Sequence, residues 1–160
     1  MDLDQQTQAL VEGAPQDGST PQLVESIAPA LKILAQRLRH LQYYVMQTLD
    51  DSWVMTTLGH RTESEIEKNV IYAFPTLKDV AAGPFALSDP NMIAVPVPVM
   101  DILFQMLAMT SIYSIIFFET PGNVTIGTEV QRAELETLVH QFLQSQVDAD
   151  TQVNIPSDIA

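Results

Sequence analysis

The chain contains no cysteine. That excludes a disulfide framework, a thiolate nucleophile and any cysteine-ligated metal. It is also short of positive charge, with 7 Lys and Arg against 20 Asp and Glu and a net charge of −13. A surface of that sign repels phosphate backbones, so nucleic acid is not an expected partner. No apolar run approaches the roughly 20 residues of a membrane span; the most apolar stretch, Ile102–Phe118, is broken by Gln105, Thr110, Ser111 and Ser114. The acidic, polar start MDLDQQTQ lacks the basic-then-apolar pattern of a secretory signal, which points to a cytoplasmic protein. Glycine is scarce as well: Gly122 stands alone where a phosphate-cradling loop would need several glycines and a lysine.

What is present is enough apolar sequence for one core. The 160 residues divide by composition into an acidic tail at 1–20 that carries −4, a globular domain at 21–146 that carries −6, and a second acidic tail at 147–160 that carries −3. The first tail lacks aromatic residues and apolar periodicity, so it is expected to be disordered, and the second, polar and acidic again, is expected to be flexible. From Pro21 an apolar stripe begins. Ile27, Leu31, Leu34, Leu38, Leu41 and Val45 recur at spacings of three and four, which predicts a helix from about Ala28–Pro29 to Leu49. On such a helix Lys32, Gln36, Arg39 and Tyr43 would share one face, with Arg37 and His40 close by. A solvated face is one reading; a docking face for an acidic partner is the other. The near-heptad spacing also admits a homodimer through the Ile27–Val45 helix.

Beyond it the pattern turns to strands. Trp53–Leu58, Val70–Phe74, Met92–Pro96 and Ser114–Glu119 read as strands, as does Val124–Val130 with a bend at Gly127; a helix capped at Thr128 competes for the last. Thr76, with Asp79 three residues on, predicts the capped start of a short helix ended by Gly83-Pro84. Asp89-Pro90 marks a turn. Pro98 opens a helix to about Met109, and Leu135, Leu138, Val139 and Phe142 mark a last helix to about Gln146. The continuous apolar run of Ser114–Glu119 fits a central strand. The sum is an α+β domain, α/β-like in its layers: one mixed sheet of about five strands packed with three to four helices.

The pieces Ile71-Tyr72-Ala73-Phe74, Thr76–Ala81, Met92–Val99, Ser114–Gly122 and Arg132-Ala133-Glu134-Leu135 follow one another as in the SseB-like N-terminal domain family, which the chain resembles over about residues 51–143. It departs from that family at Thr120-Pro121, where the family has Asn-Pro, and in its added N-terminal helix. The resemblance implies a small regulatory or interaction module and no catalytic residues. The sparse charge and abundant glutamine are also similar in style to small cyanobacterial proteins.

No residue set compels a reaction. His40, His60 and His140 do not stand at metal-ligand spacing, and no Gly-x-Ser-x-Gly elbow occurs. Neither a catalytic residue, a metal nor a cofactor is called for. Glu63, Glu65 and Glu67 read as a solvated run. Two candidate sites remain. Lys32, Arg37, Arg39 and Tyr43 would form a face for a protein partner. Glu119 and Asn123 flank a turn at a strand end, where layered α/β folds often place ligands. The expectation is a non-enzymatic interaction or accessory module; the alternative is a small-ligand binder or enzyme using Glu119–Asn123.

Overall fold

The structure is a computed structural model that describes residues 2–59, 67–82 and 91–154, with side chains except at 59, 67 and 146–154. Among the described residues, five helices and one mixed six-stranded sheet make an α+β fold. The expected Gly83-Pro84 stop, the Asp89-Pro90 turn and Glu63 and Glu65 lie outside the described residues.

Residues 1–20 are where composition misleads first. They begin with a helix, α1 (Leu3–Gly13), instead of the expected disordered tail. Its start is a reciprocal cap: Gln5 N–H donates to Asp2 Oδ1 at 2.8 Å, and Asp2 N–H donates to Gln5 Oε1 at 2.9 Å. Leu3 and Leu10 pack on the core, and Gln6, only 3% exposed, pins the helix down. Its amide donates to Leu41 O and its Oε1 accepts from Met100 N–H, both at 2.9 Å.

The stripe that predicts one helix to Leu49 is divided between two elements. α2 (Thr20–Ala35) starts earlier than expected, with Pro21 in its first turn and Pro29 inside it. Asp17 caps it, accepting from Ser19 N–H at 3.0 Å and Thr20 N–H at 2.8 Å. It ends at Ala35, where Arg37 N–H bonds Leu34 O and Leu38 N–H bonds Ala35 O in tightened turns. β1 (Gln42–Thr48) follows. Tyr43-Tyr44-Val45 is aromatic and β-branched, which favours a strand. Both faces of β1 are buried, so apolar residues fall at every spacing and imitate a helical period. Most of the stripe is inside the chain's own core: Ile27, Leu31, Leu34, Leu38 and Val45 are buried, and Leu41, in the turn between the two elements, is exposed.

The other strands are β2 (Thr56–Gly59), β3 (Glu67–Phe74), β4 (Met92–Pro98), β5 (Ser114–Phe118) and β6 (Gly127–Gln131). The sheet order is β4-β1-β3-β5-β6, with β2 also on β3. β3 and β5 are parallel; every other pairing is antiparallel. β5 is an interior strand, and the segment from β3 to β5 runs through α3 (Leu77–Ala82), β4 and α4 (Val99–Ala108). α5 (Arg132–Asn154) closes the described chain and extends beyond the expected Gln146.

One sheet face, with Tyr43, Val45, Ile71, Ile115, Phe117 and Val130, packs under Leu31, Leu34, Met100, Leu103, Met106 and Leu135 of the helices. The other carries Met46, Phe74, Phe118 and Val80.

The sheet edges differ. Val99 N–H bonds Leu41 O at 2.9 Å in the register that pairs Val97 with Tyr43 and Val95 with Val45. Antiparallel alternation then turns the backbone of Pro96 and Pro98 away from β1. Their missing donors therefore cost no ladder bond, and they blunt the outer edge of β4. β6, the edge strand beyond β5, contains no proline. Its Gly127 is required by close approach: a Cβ there would stand 2.8 Å from Ile116 Cγ2 and 3.0 Å from Phe117 O.

Candidate functional site

Side chains alternate along β5, so Glu119, two residues past Phe117, emerges on the helix-covered side at the strand's carboxyl end. Unlike the aliphatic run before it, it carries a carboxylate, and it is only 9% exposed. Such a group must be hydrogen-bonded. Tyr43 OH donates to Oε1, and Arg39 N–H donates to Oε2 at 3.0 Å. The His40 ring Nε2 lies 2.6 Å from Glu119 O, in the geometry of an Nε2–H donor, and His40 N–H donates to Tyr43 OH at 3.2 Å. Tyr43 also meets Phe117 edge-on at 4.9 Å. Burial pushes the Tyr43 hydroxyl well above its ordinary pKa, helped by its bond to the Glu119 carboxylate and by that group's charge. It stays protonated and serves as a donor.

The turn after β5 is held separately. Asn123 N–H bonds Thr120 O at 3.0 Å, and Gly122 has φ +86°. Proline then glycine at the two central positions is the chemistry of a type II turn. Gly122 N–H donates to Asp79 Oδ1 at 2.7 Å. Asp79, 2% exposed, thereby ties the turn to α3, where Thr76 Oγ1 accepts from its N–H and donates to its Oδ2. Thr76 caps that helix as predicted. Asn123 Oδ1 accepts from Thr125 N–H at 2.9 Å and Thr125 Oγ1 at 2.7 Å, so this oxygen shapes the loop.

Four of the six predicted residues meet here. Arg37, Arg39, Glu119 and Asn123 line one cleft of about 310 Å³, completed by Thr120, Ile126, Gly127 and Thr128. Lys32 lies elsewhere, paired with Asp4 of α1. Tyr43 is a correction: it is wholly buried in β1 and cannot present a partner face. The sequence did signal its real role. A lone acid closing an apolar run needs a buried donor, and His40-x-x-Tyr43 supplies one.

The two arginines differ. Arg37 pairs with Glu134 in the first turn of α5. The Arg39 guanidinium touches Thr120 Oγ1 at 3.4 Å, and among the described residues it has no carboxylate in ion-pair range. Glu119 is held back from it by Tyr43 and by Arg39's own N–H. The cleft therefore offers exposed guanidinium donors beside hydroxyls, with the apolar Ile126, 72% exposed, at its rim. Behind it the buried Tyr43 hydroxyl is locked between Glu119 and His40 N–H. No helix among the described residues is long and apolar enough to cross a membrane. No protein-family model matches the chain, and no curated protein does either.

Proposed function

We propose that this protein is a non-enzymatic interaction or accessory module of the cytoplasm, and that it recognises an acidic side chain of a protein partner in the Arg37/Arg39 cleft. The observation that carries the reading is Arg39, an exposed guanidinium that has no carboxylate in ion-pair range among the described residues, on a chain of net charge −13. Its planar fork suits bidentate carboxylate binding. The order of elements from β2 to α5 supports kinship with the SseB-like N-terminal domain, and with it a regulatory role; kinship with small cyanobacterial proteins belongs to the same proposal.

The small-ligand alternative rests on the position of the cleft at the end of β5. Two features weigh against it. Small-molecule sites are mostly apolar-lined, whereas this lining is chiefly polar, and the Glu119 carboxylate is already engaged by two donors. The test reverses the charge. Arg37→Glu with Arg39→Glu should leave the fold intact, because an exposed pair such as Arg37–Glu134 contributes only about 0–1 kcal/mol, and should abolish binding of the acidic partner recovered by affinity purification. Unchanged binding refutes the assignment; thermal stabilisation by a metabolite screen would favour the alternative.

A further inference from the structure

The cleft continues into a sheet edge that pairs with no further strand among the described residues. Arg132 N–H bonds Tyr113 O at 2.9 Å, in the register that pairs Val130 with Ile115 and Thr128 with Phe117. By antiparallel alternation, Thr128 and Val130 exchange bonds with β5, while Gly127, Glu129 and Gln131 turn their N–H groups outward. The Gly127 and Glu129 carbonyls turn outward with them. Two of the usual defences of such an edge are missing: β6 contains no proline or lysine. Its one charged residue, the exposed Glu129, is held against the neighbouring strand, with Oε2 accepting from Ser114 Oγ at 2.7 Å. The opposite edge, β4, has prolines at two outward positions.

We propose that β6 takes up an extended, acidic segment of a partner protein as a seventh strand, with one acidic side chain of that segment entering the Arg37/Arg39 cleft. The inference rests on the proposed reading of the cleft and adds the backbone mode of recognition. Continuity carries it: Gly127 and Thr128, where the edge begins, are themselves walls of the cleft. Charge complementarity selects the occupant, since the cleft presents guanidinium groups and a basic segment would be repelled. Five residues make a short edge, so the ladder alone holds a partner weakly and the carboxylate anchor supplies selectivity.

The test uses the full chain and N-acetylated, C-amidated octapeptides of alternating Val and Thr, with a single Glu scanned through the positions. Binding is read by titration and by amide exchange. The expected result is at least tenfold slower exchange at Gly127, Glu129 and Gln131, no change at Ala94 on β4, and at least tenfold weaker binding when the peptide Glu becomes Gln. Glu129→Pro or Gln131→Pro should weaken binding at least tenfold with the circular dichroism spectrum retained. A peptide N-methylated at alternate residues should also fail to bind, which tests the ladder without altering the protein. Absence of protection with every peptide overturns the inference. If N-methylation and both proline variants leave binding intact while Arg39→Glu abolishes it, strand pairing is wrong and the cleft reading stands. If Arg39→Glu changes nothing, the anchor is wrong. A doubled mass of the free chain that Glu129→Pro abolishes would assign the edge to a second copy and overturn the partner segment.

Discussion

Replacing Tyr43 by phenylalanine removes one oxygen from the core and leaves the ring against Phe117. Two bonds are lost. The Glu119 carboxylate loses a buried donor, and a hydrogen bond to a charged group is worth about 1.5–3 kcal/mol. The His40 N–H loses its acceptor, about another 1 kcal/mol. Glu119 keeps the Arg39 N–H at 3.0 Å, so the carboxylate is half-satisfied. The expected cost is about 3 kcal/mol, which for a chain of this length lowers Tm by roughly 6–12 °C. Equilibrium unfolding in urea should show a lower midpoint with unchanged slope, since little buried area changes. Alkali gives a second readout. The Tyr43 pKa is raised in the folded state from the ordinary value of 10, first by burial and then by Glu119. The folded state thus favours the protonated hydroxyl, and its contribution is complete below pH 10 and lost as pH rises toward the raised folded value. The gap between wild type and Tyr43→Phe should be constant at neutral pH and shrink above pH 10. A loss under about 1 kcal/mol, or a gap insensitive to alkali, would refute the claim that Tyr43 carries Glu119. Partner binding should weaken too, because a freed Glu119 can swing to Arg39.

Gln6→Ala strands the buried Met100 N–H and leaves Leu41 O with its bond from Val99 N–H alone, for a loss of about 1–3 kcal/mol; limited proteolysis should then cut residues 2–18 faster, and an unchanged cleavage rate would mean that α1 is not fastened there. Gly127→Ala sets a methyl group against Ile116 and the Phe117 carbonyl, and overpacking of this kind costs about 1–3 kcal/mol by chemical denaturation. Asp17 has its carboxyl held well below the ordinary 3.8 by the Thr20 hydroxyl, then by the Thr20 and Ser19 amides. Its cap therefore acts above pH 3.8 and fades as pH falls through the lowered folded value. Asp17→Ala should lower Tm at pH 7, with the difference from wild type vanishing in strong acid.

The second half of the domain was more legible in the sequence than the first. The Val70–Phe74 and Ser114–Phe118 runs are short, β-branched or aromatic, and bounded by turn residues, so length and composition identify them as strands. Thr76 and Asp79 advertise a helix start through a bond that needs only local geometry. The region from Gln36 to Thr48 was not legible, because a strand buried on both faces has no free period to display. Tyr43 went astray for the same reason: placed on an imagined helix it faced solvent, whereas on β1 it faces Phe117 and Glu119. α1 was hidden because its attachment is partly polar, with only Leu3 and Leu10 packed on the core. One buried glutamine and a capping box hold a segment whose composition argues for disorder. The site was half legible: both pairs of residues were identified, but their convergence depends on the turn at Gln36–Leu41, which tertiary packing decides.

The outward prolines of β4 also bear on the solution behaviour of the whole chain. A sheet with two receptive edges can join the far edge of the next copy by a head-to-tail contact, and if that contact does not close into a ring it runs on as a fibre. Among the described strands, the two ends of the path from β4 to β6 differ in how readily they accept a further strand. Pro96 and Pro98 act as a chain terminator: they withhold two donors from the outer edge of β4, which disfavours its pairing with the β6 edge of a neighbour and so disfavours growth beyond one step.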